Sequence, residues 1–197
     1  SFTRLEDQYI RSNVGTAVDT LQDDINKLDS TVVDWAPWDD TYAFIENENE
    51  DYIRSNLGTV PFTNIKINLM LFINSSGHII YGKAFDLVKD EEIPVPLQLQ
   101  KLSVHDILLN HTGTESYVKG IIILPEGPML VASRPILTSE RKGPIRGTLI
   151  IGRFLNQAEI ERLSEITHLS LSVNRFDDPG MPPDFKEALL SLSGGIP

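Results

Sequence analysis

LMLFINSSGHIIYG, residues 69–82, sets the architecture. Leu69 to Ile73 is an unbroken apolar run, and His78 to Gly82 is a second, largely apolar one. Between them lies Asn74-Ser75-Ser76-Gly77, rich in the residues that favour tight turns. Two strands joined by so short a link run antiparallel, because a parallel crossover needs about a dozen residues or more. Downstream, residues 117–124, 128–137 and 145–154 read as three further strands, separated by Pro125-Glu126-Gly127 and by residues 138–144. These links are short as well, so the spacing predicts a five-stranded antiparallel sheet. Between the two groups, residues 87–112 carry Pro94 and Pro96, which bar a strand, and a short helix is expected at 104–109 after Ser103.

Upstream, residues 3–33 hold no proline and a single glycine, Gly15. Apolar side chains fall at Val14, Val18, Leu21, Ile25, Leu28 and Val32, alternating four and three apart. This predicts one helix over 4–33, roughly 45 Å long. The same spacing suits a coiled-coil seam, so pairing of two copies through Val14, Val18, Leu21, Ile25 and Leu28 and packing on the chain's own core are both open. Pro37 fits a first helical turn and Asp34 an N-cap, which predicts a second helix over 35–45. On it Trp35, Trp38, Tyr42 and Ile45 form one stripe. Asp51 is placed to cap a turn at 52–57 closed by Gly58. After the last strand, a helix is expected at 156–167 with Ile160, Leu163 and Ile166 on one face, then a strand at 169–176. Past Asp177 the chain is poor in core-forming residues apart from a helical turn at 185–192. The whole is an α+β layer fold.

Composition narrows the function. The chain has 197 residues, 41% of them hydrophobic and 23% charged, as in ordinary globular domains. A net charge of −11 repels phosphate backbones, so no nucleic-acid partner is expected. With no cysteine, disulfides and thiolate chemistry are excluded. No apolar run approaches the roughly 20 residues that span a bilayer, and the first residue is Ser1. The chain is therefore expected to be part of a longer protein.

Catalytic patterns are weak. Asp39 and Asp40 are adjacent on a helix and point about 100° apart, so they do not converge on one bond. In a first turn, carboxylates also complement the helix dipole. His78, His105, His111 and His168 lack HxxxH or HExxH spacing, so no metal or other cofactor is expected, although His105, Asp106 and His111 are close enough in sequence to meet. There is no GxSxG and no DxDxDG loop, and the chain is read as not an enzyme. The aromatic stripe remains. It either packs a helix on the sheet or walls a pocket in which Asp39 or Asp40 meets an amine or hydroxyl. Arg134, in apolar company, either pairs with an acid such as Asp39 or takes a ligand carboxylate. Trp35, Trp38, Asp39, Asp40, Tyr42, Tyr81 and Arg134 are the candidate ligand-binding residues.

The segment 34–44, DWAPWDDTYAF, followed in order by Asn56-Leu57, Phe72-Ile73-Asn74, Gly77, ASRPIL at 132–137, Gly143 and GTLIIGR at 147–153, resembles the CHASE4 extracytoplasmic sensor family over residues 15–155. The resemblance implies a PAS-like or Cache-like fold in a prokaryotic membrane receptor, either a histidine kinase or a cyclic-di-GMP enzyme, with membrane spans flanking the domain. It places the family's motif residues at Trp38, Asp39, Asp40, Tyr42, Asn56, Arg134 and Gly152, and leaves the small-molecule ligand undefined. The expected division is a signalling helix over 1–33, a sensor domain over 34–176 and a tail over 177–197. The expected role is extracytoplasmic ligand sensing by a homodimer. The rivals are a solute-binding or adhesion module without output and a hydrolase using Asp39 or Asp40.

Overall fold

The computed structural model describes residues 2–173, with side chains described for 18–165. Helix α1 spans Phe2–Trp35, followed by three short helices, α2 Asp39–Asn47, α3 Glu50–Asn56 and α4 Thr59–Ile65. Strands β1 Leu69–Asn74, β2 Ile79–Asp86 and β3 Glu91–Ile93 come next. After them lie α5 Leu97–Gln100 and a 3-10 turn, Ile107–Leu109. Strands β4 Val118–Leu124, β5 Gly127–Ile136 and β6 Gly147–Phe154 then lead into α6, Gln157–Val173. All strand pairs are antiparallel, in the order β3-β2-β1-β6-β5-β4.

The sheet has six strands instead of five. The extra one, β3, is three residues long and ends before Pro94, so the prolines do bar a longer strand but leave room for this one. The helix expected at 104–109 is reduced to the 3-10 turn, capped by Asp106, whose side chain accepts from the Leu108 N–H. Helix α6 continues to Val173, so the strand expected at 169–176 is not formed there; residues 174–176, the tail over 177–197 and its turn at 185–192 lie outside the described residues.

Both faces of the sheet are buried, which accounts for the unbroken apolar runs of β1, β5 and β6. Met70, Phe72, Leu130, Ala132, Leu149 and Ile151 pack under the helices. Leu69, Leu71, Met129, Val131 and Ile150 pack under the segment between β3 and β4, which contributes Leu99 and Leu108. Gly147 lets β6 approach β1, since a Cβ there would lie 2.2 Å from the Ile73 carbonyl oxygen.

Val18, Leu21, Ile25, Leu28 and Val32 of α1 are all buried in the chain's own core. Val18, Leu21, Ile25 and Leu28, expected as a seam between two copies, pack against the chain's own sheet, while the Val14 side chain lies outside the described residues.

Three contacts give the direction of α1. Asp24 approaches Arg153 near the end of β6, Asp29 binds Arg134 on β5, and Pro37 bridges to Leu137 just past the end of β5. Arg134 lies opposite Leu149, and Ile136 opposite Gly147. Thus α1 climbs the sheet while β6 descends it, and α6 departs beside the earlier part of α1, against which it packs. The chain enters and leaves the sheet at one end, on two antiparallel helices. Among the described residues no helix is long and apolar enough to cross a membrane.

The two sheet edges differ. Strand β3 is short and acidic, with Glu91 and Glu92 exposed. Strand β4 is long and apolar, with Ile123 73% exposed.

Candidate functional site

Trp35 and Trp38 do not share a helix, contrary to the expected stripe. Helix α1 runs through Asp34 and stops at Trp35, while Pro37 makes an extended bridge to Leu137. Trp38 is the N-cap of α2, with extended backbone and no side-chain cap bond, so Asp34 caps nothing. Asp39 and Asp40 do lie in the first turn of α2.

The rings nevertheless meet. Trp35 and Trp38 are T-shaped at 6.4 Å, and Trp38 lies 5.9 Å from Tyr52. Tyr52 stacks on Phe44 at 4.5 Å, and Phe44 meets Phe72 and Tyr81 edge-on. Tyr52 also shares a 2.6 Å hydrogen bond with Thr41, and burial, helped by the Asp40 charge, pushes its hydroxyl up to about 12. This is a helix-to-sheet core whose outer margin is Trp38. Sequence reasoning missed Thr41, Phe44 and Tyr52; the i,i+3 step from Thr41 to Phe44 on one helical face was the available signal.

The other candidate residues have structural partners. The Asp39 N–H donates to Ser139 Oγ at 3.0 Å, and the Ser139 N–H donates to Asp39 Oδ1 at 2.9 Å, tying α2 to the β5–β6 loop. Tyr42 donates to the Pro144 carbonyl at 2.9 Å beneath the Arg146 guanidinium, 3.8 Å from its ring. Arg146 also pairs with Glu46 at 3.0 Å. Tyr81 donates to the Leu57 carbonyl at 2.9 Å. Burial pushes its hydroxyl up to about 12 as well.

Arg134 is paired, but with Asp29 and not Asp39. Its Nε and Nη2 reach the two carboxylate oxygens at 2.7 and 2.9 Å, and Lys119 adds a third contact at 3.0 Å. Both cations lie over the Tyr117 ring. Burial alone would raise the Asp29 carboxyl; the bonds from Arg134 and Lys119 outweigh it and hold the group below the usual carboxylate range.

On the opposite face of β5, His111 lies between two hydroxyls. Its Nε2 is 2.9 Å from Ser133 Oγ and its Nδ1 2.9 Å from Ser116 Oγ. His105 and Asp106 do not join it, and His105 is exposed. Burial, then the Arg134 charge, pushes His111 down to about 4, so it is neutral at pH 7. Ser133 is fully buried and donates to the Leu108 carbonyl at 2.6 Å.

Two clefts bear on function. Trp38 and Asp40 line a groove of about 460 Å³ with Tyr52, Asn47, Asp51 and Asn56. Trp35, Asp39, Tyr42, Tyr81 and Arg134 lie outside it. A larger groove of about 840 Å³ sits where the terminal helices meet the sheet, walled by Leu28, Leu87, Phe154 and Leu155, with Arg153 among its charged groups. Here Asn68 donates to the Phe85 carbonyl and accepts from the Phe154 N–H, stitching β1 to β2 and β6. Asn156 caps α6: its side chain accepts from the Glu159 N–H at 2.9 Å. Glu159 returns a bond to the Asn156 N–H at 3.4 Å, completing a capping box.

Comparison with known proteins follows the same outline. The chain is 36% identical over 167 residues to the methanogenesis regulatory histidine kinase FilI of Methanothrix harundinacea (strain 6Ac), a match covering 85% of this chain and 19% of that protein. The domain of a protein described as sensory box/GGDEF family from Vibrio parahaemolyticus superposes with a TM-score of 0.53 at 15% identity, covering 75% of this chain and 58% of that one. The extracellular domain of a protein described as the histidine kinase vpHK1S-Z8 gives 0.51 at 16% identity, covering 82% and 58%. These two likenesses concern the fold. The model of the CHASE4 domain matches residues 20–174, from the sheet-bound part of α1 through α6, and the chain belongs to the CHASE4 domain family.

Proposed function

We propose that this chain is the extracytoplasmic ligand-sensing domain of a membrane-anchored signalling receptor. The observation that carries the reading is that α1 and α6 leave the same end of the sheet side by side. A domain held between two membrane spans needs both connections on one side. A free solute-binding or adhesion module does not. The histidine kinase FilI, of which this chain would correspond to about one-fifth, makes a kinase or a similar signalling enzyme the reasonable output.

The ligand site we favour is the groove at Trp38 and Asp40. A ring face, two carboxylates and the amides of Asn47 and Asn56 suit a small amine or a hydroxylated molecule. Two copies of the receptor would pair through a surface other than the buried stripe of α1. The size of the domain in solution, by sedimentation, tests this: a monomer at every concentration speaks against a dimer made by this domain.

A thermal-shift screen of metabolites tests the sensor reading. A ligand at 100 times its dissociation constant stabilises by about 2.7 kcal/mol. Hits are expected to vanish in Trp38→Ala and Asp40→Asn. Hits that persist in both variants would remove the groove from the mechanism, and turnover of a hit that Asp39→Asn abolishes would restore the hydrolase.

A further inference from the structure

Arg153, on the last strand, lies within ion-pair distance of acids on both terminal helices. Its Nη1 and Nη2 bind Glu159 of α6 at 2.9 and 3.0 Å as a parallel fork. The same Nη2 lies 3.6 Å from Asp24 of α1. The two acids are unequal. Glu159 is 4% exposed, and its charge requires a cation. Asp24 is about one-quarter exposed, is also 3.7 Å from Lys27, and stands outside hydrogen-bonding distance of the guanidinium.

The gap is small. Closing 3.6 Å to the 2.9 Å of the Glu159 bond takes about 0.7 Å, less than the roughly 1–2 Å by which helices shift at allosteric interfaces. Asp24 is three residues from Leu21 and four from Leu28, both buried, so it rides on the sheet-facing side of α1. Axial motion of α1 over the sheet therefore changes the Asp24–Arg153 distance directly. Glu159 moves with α6, because the capping box fixes it to the first turn of that helix.

We propose that Arg153 is the positioning residue that couples the two terminal helices, a guanidinium shared between an acid on α1 and an acid on α6. In the described state it belongs to Glu159. Advance of Asp24 draws one arm of the fork away and loosens the start of α6 from the end of β6. A lysine at this position could not serve, because a point charge lacks the two-armed fork that keeps one acid bound while reaching another. The signalling role of the coupling rests on the sensor reading, whereas the sharing itself needs no ligand.

The test is the amide spectrum of the isotope-labelled protein in Asp24→Asn and Glu159→Gln. Shared occupancy predicts that amides of residues 160–165 and 18–21 move in opposite directions along common lines in the two variants. It also predicts loss of this opposition when either change is made on Arg153→Gln. Displacements that are not collinear, that stop at the neighbours of each substitution, or that persist on Arg153→Gln overturn the proposal. If Glu159→Gln does not fold, Asp24→Asn decides alone: a shift at residues 160–165 supports sharing and an unmoved spectrum refutes it. A metabolite screen without hits leaves this result readable, so the two failures are distinguishable.

Discussion

Asp29→Asn should be among the most damaging conservative changes in the molecule. The carboxylate is 5% exposed and accepts three charge-assisted bonds from Arg134 and Lys119. Breaking a fully buried ion pair costs about 3–5 kcal/mol because the stranded charge stays dry. Here the two cations retain about one-fifth exposure and can turn toward water, which reduces the expected loss to about 2–3 kcal/mol. In a domain of this length that lowers Tm by roughly 5–10 °C. Urea unfolding followed by the fluorescence of Trp35 and Trp38 measures it. The double variant Asp29→Asn/Arg134→Met should recover part of the loss, since one of the two stranded cations is gone. A loss below about 1 kcal/mol, or a double variant worse than the sum of the singles, would refute the assignment of Asp29 as the anchor. The sign with pH follows from its depressed carboxyl: the stabilisation is present above the unfolded value near 3.8 and is lost as pH falls through the lower folded one. Asp29→Asn should abolish that part of the acid limb.

His111 acts in a higher window. Its folded value of about 4 lies below the ordinary imidazole value of 6.5, so the unfolded chain takes the proton first and stability declines as pH drops from about 6.5 to about 4. His111→Gln should flatten that segment of a Tm-against-pH curve. Phe44→Ala removes a 1%-exposed ring stacked on Tyr52 and should cost about 3–5 kcal/mol in urea unfolding. Gly147→Ala would press a methyl onto the Ile73 carbonyl and should cost about 3 kcal/mol or more, read as a shift in urea midpoint without a change in slope.

Much of the fold was legible in local pattern. The apolar runs of β1, β5 and β6 and the three-four spacing of α1 carry their structure in residues a few positions apart. Strand β3 was hidden because three residues, two of them glutamates, do not stand out beside two prolines. The α1–α2 boundary was misread because Asp34 and Pro37 imitate a cap and first turn, whereas Pro37 is held extended by its bridge to Leu137, a contact no local rule supplies. The same limit governs the site. The sequence left Arg134 open between an acid and a ligand carboxylate; its acid, Asp29, is 105 residues away, and charge pattern alone cannot choose it over Asp39. The α6 capping box, by contrast, is local: Asn156 followed three residues later by Glu159 carries its signature in the sequence.

The unguarded edge of the sheet has a consequence for handling the isolated domain. Alternate residues of β4 turn their amides and carbonyls outward, and Ile123 stands open beside them. Two molecules zipped antiparallel along this margin would be related by a dyad normal to the sheet, which sends their helical stalks in opposite directions. Under the proposed membrane-anchored reading, two receptors rooted in one bilayer could not adopt that arrangement, so such a dimer formed in concentrated solution would say nothing about how they assemble.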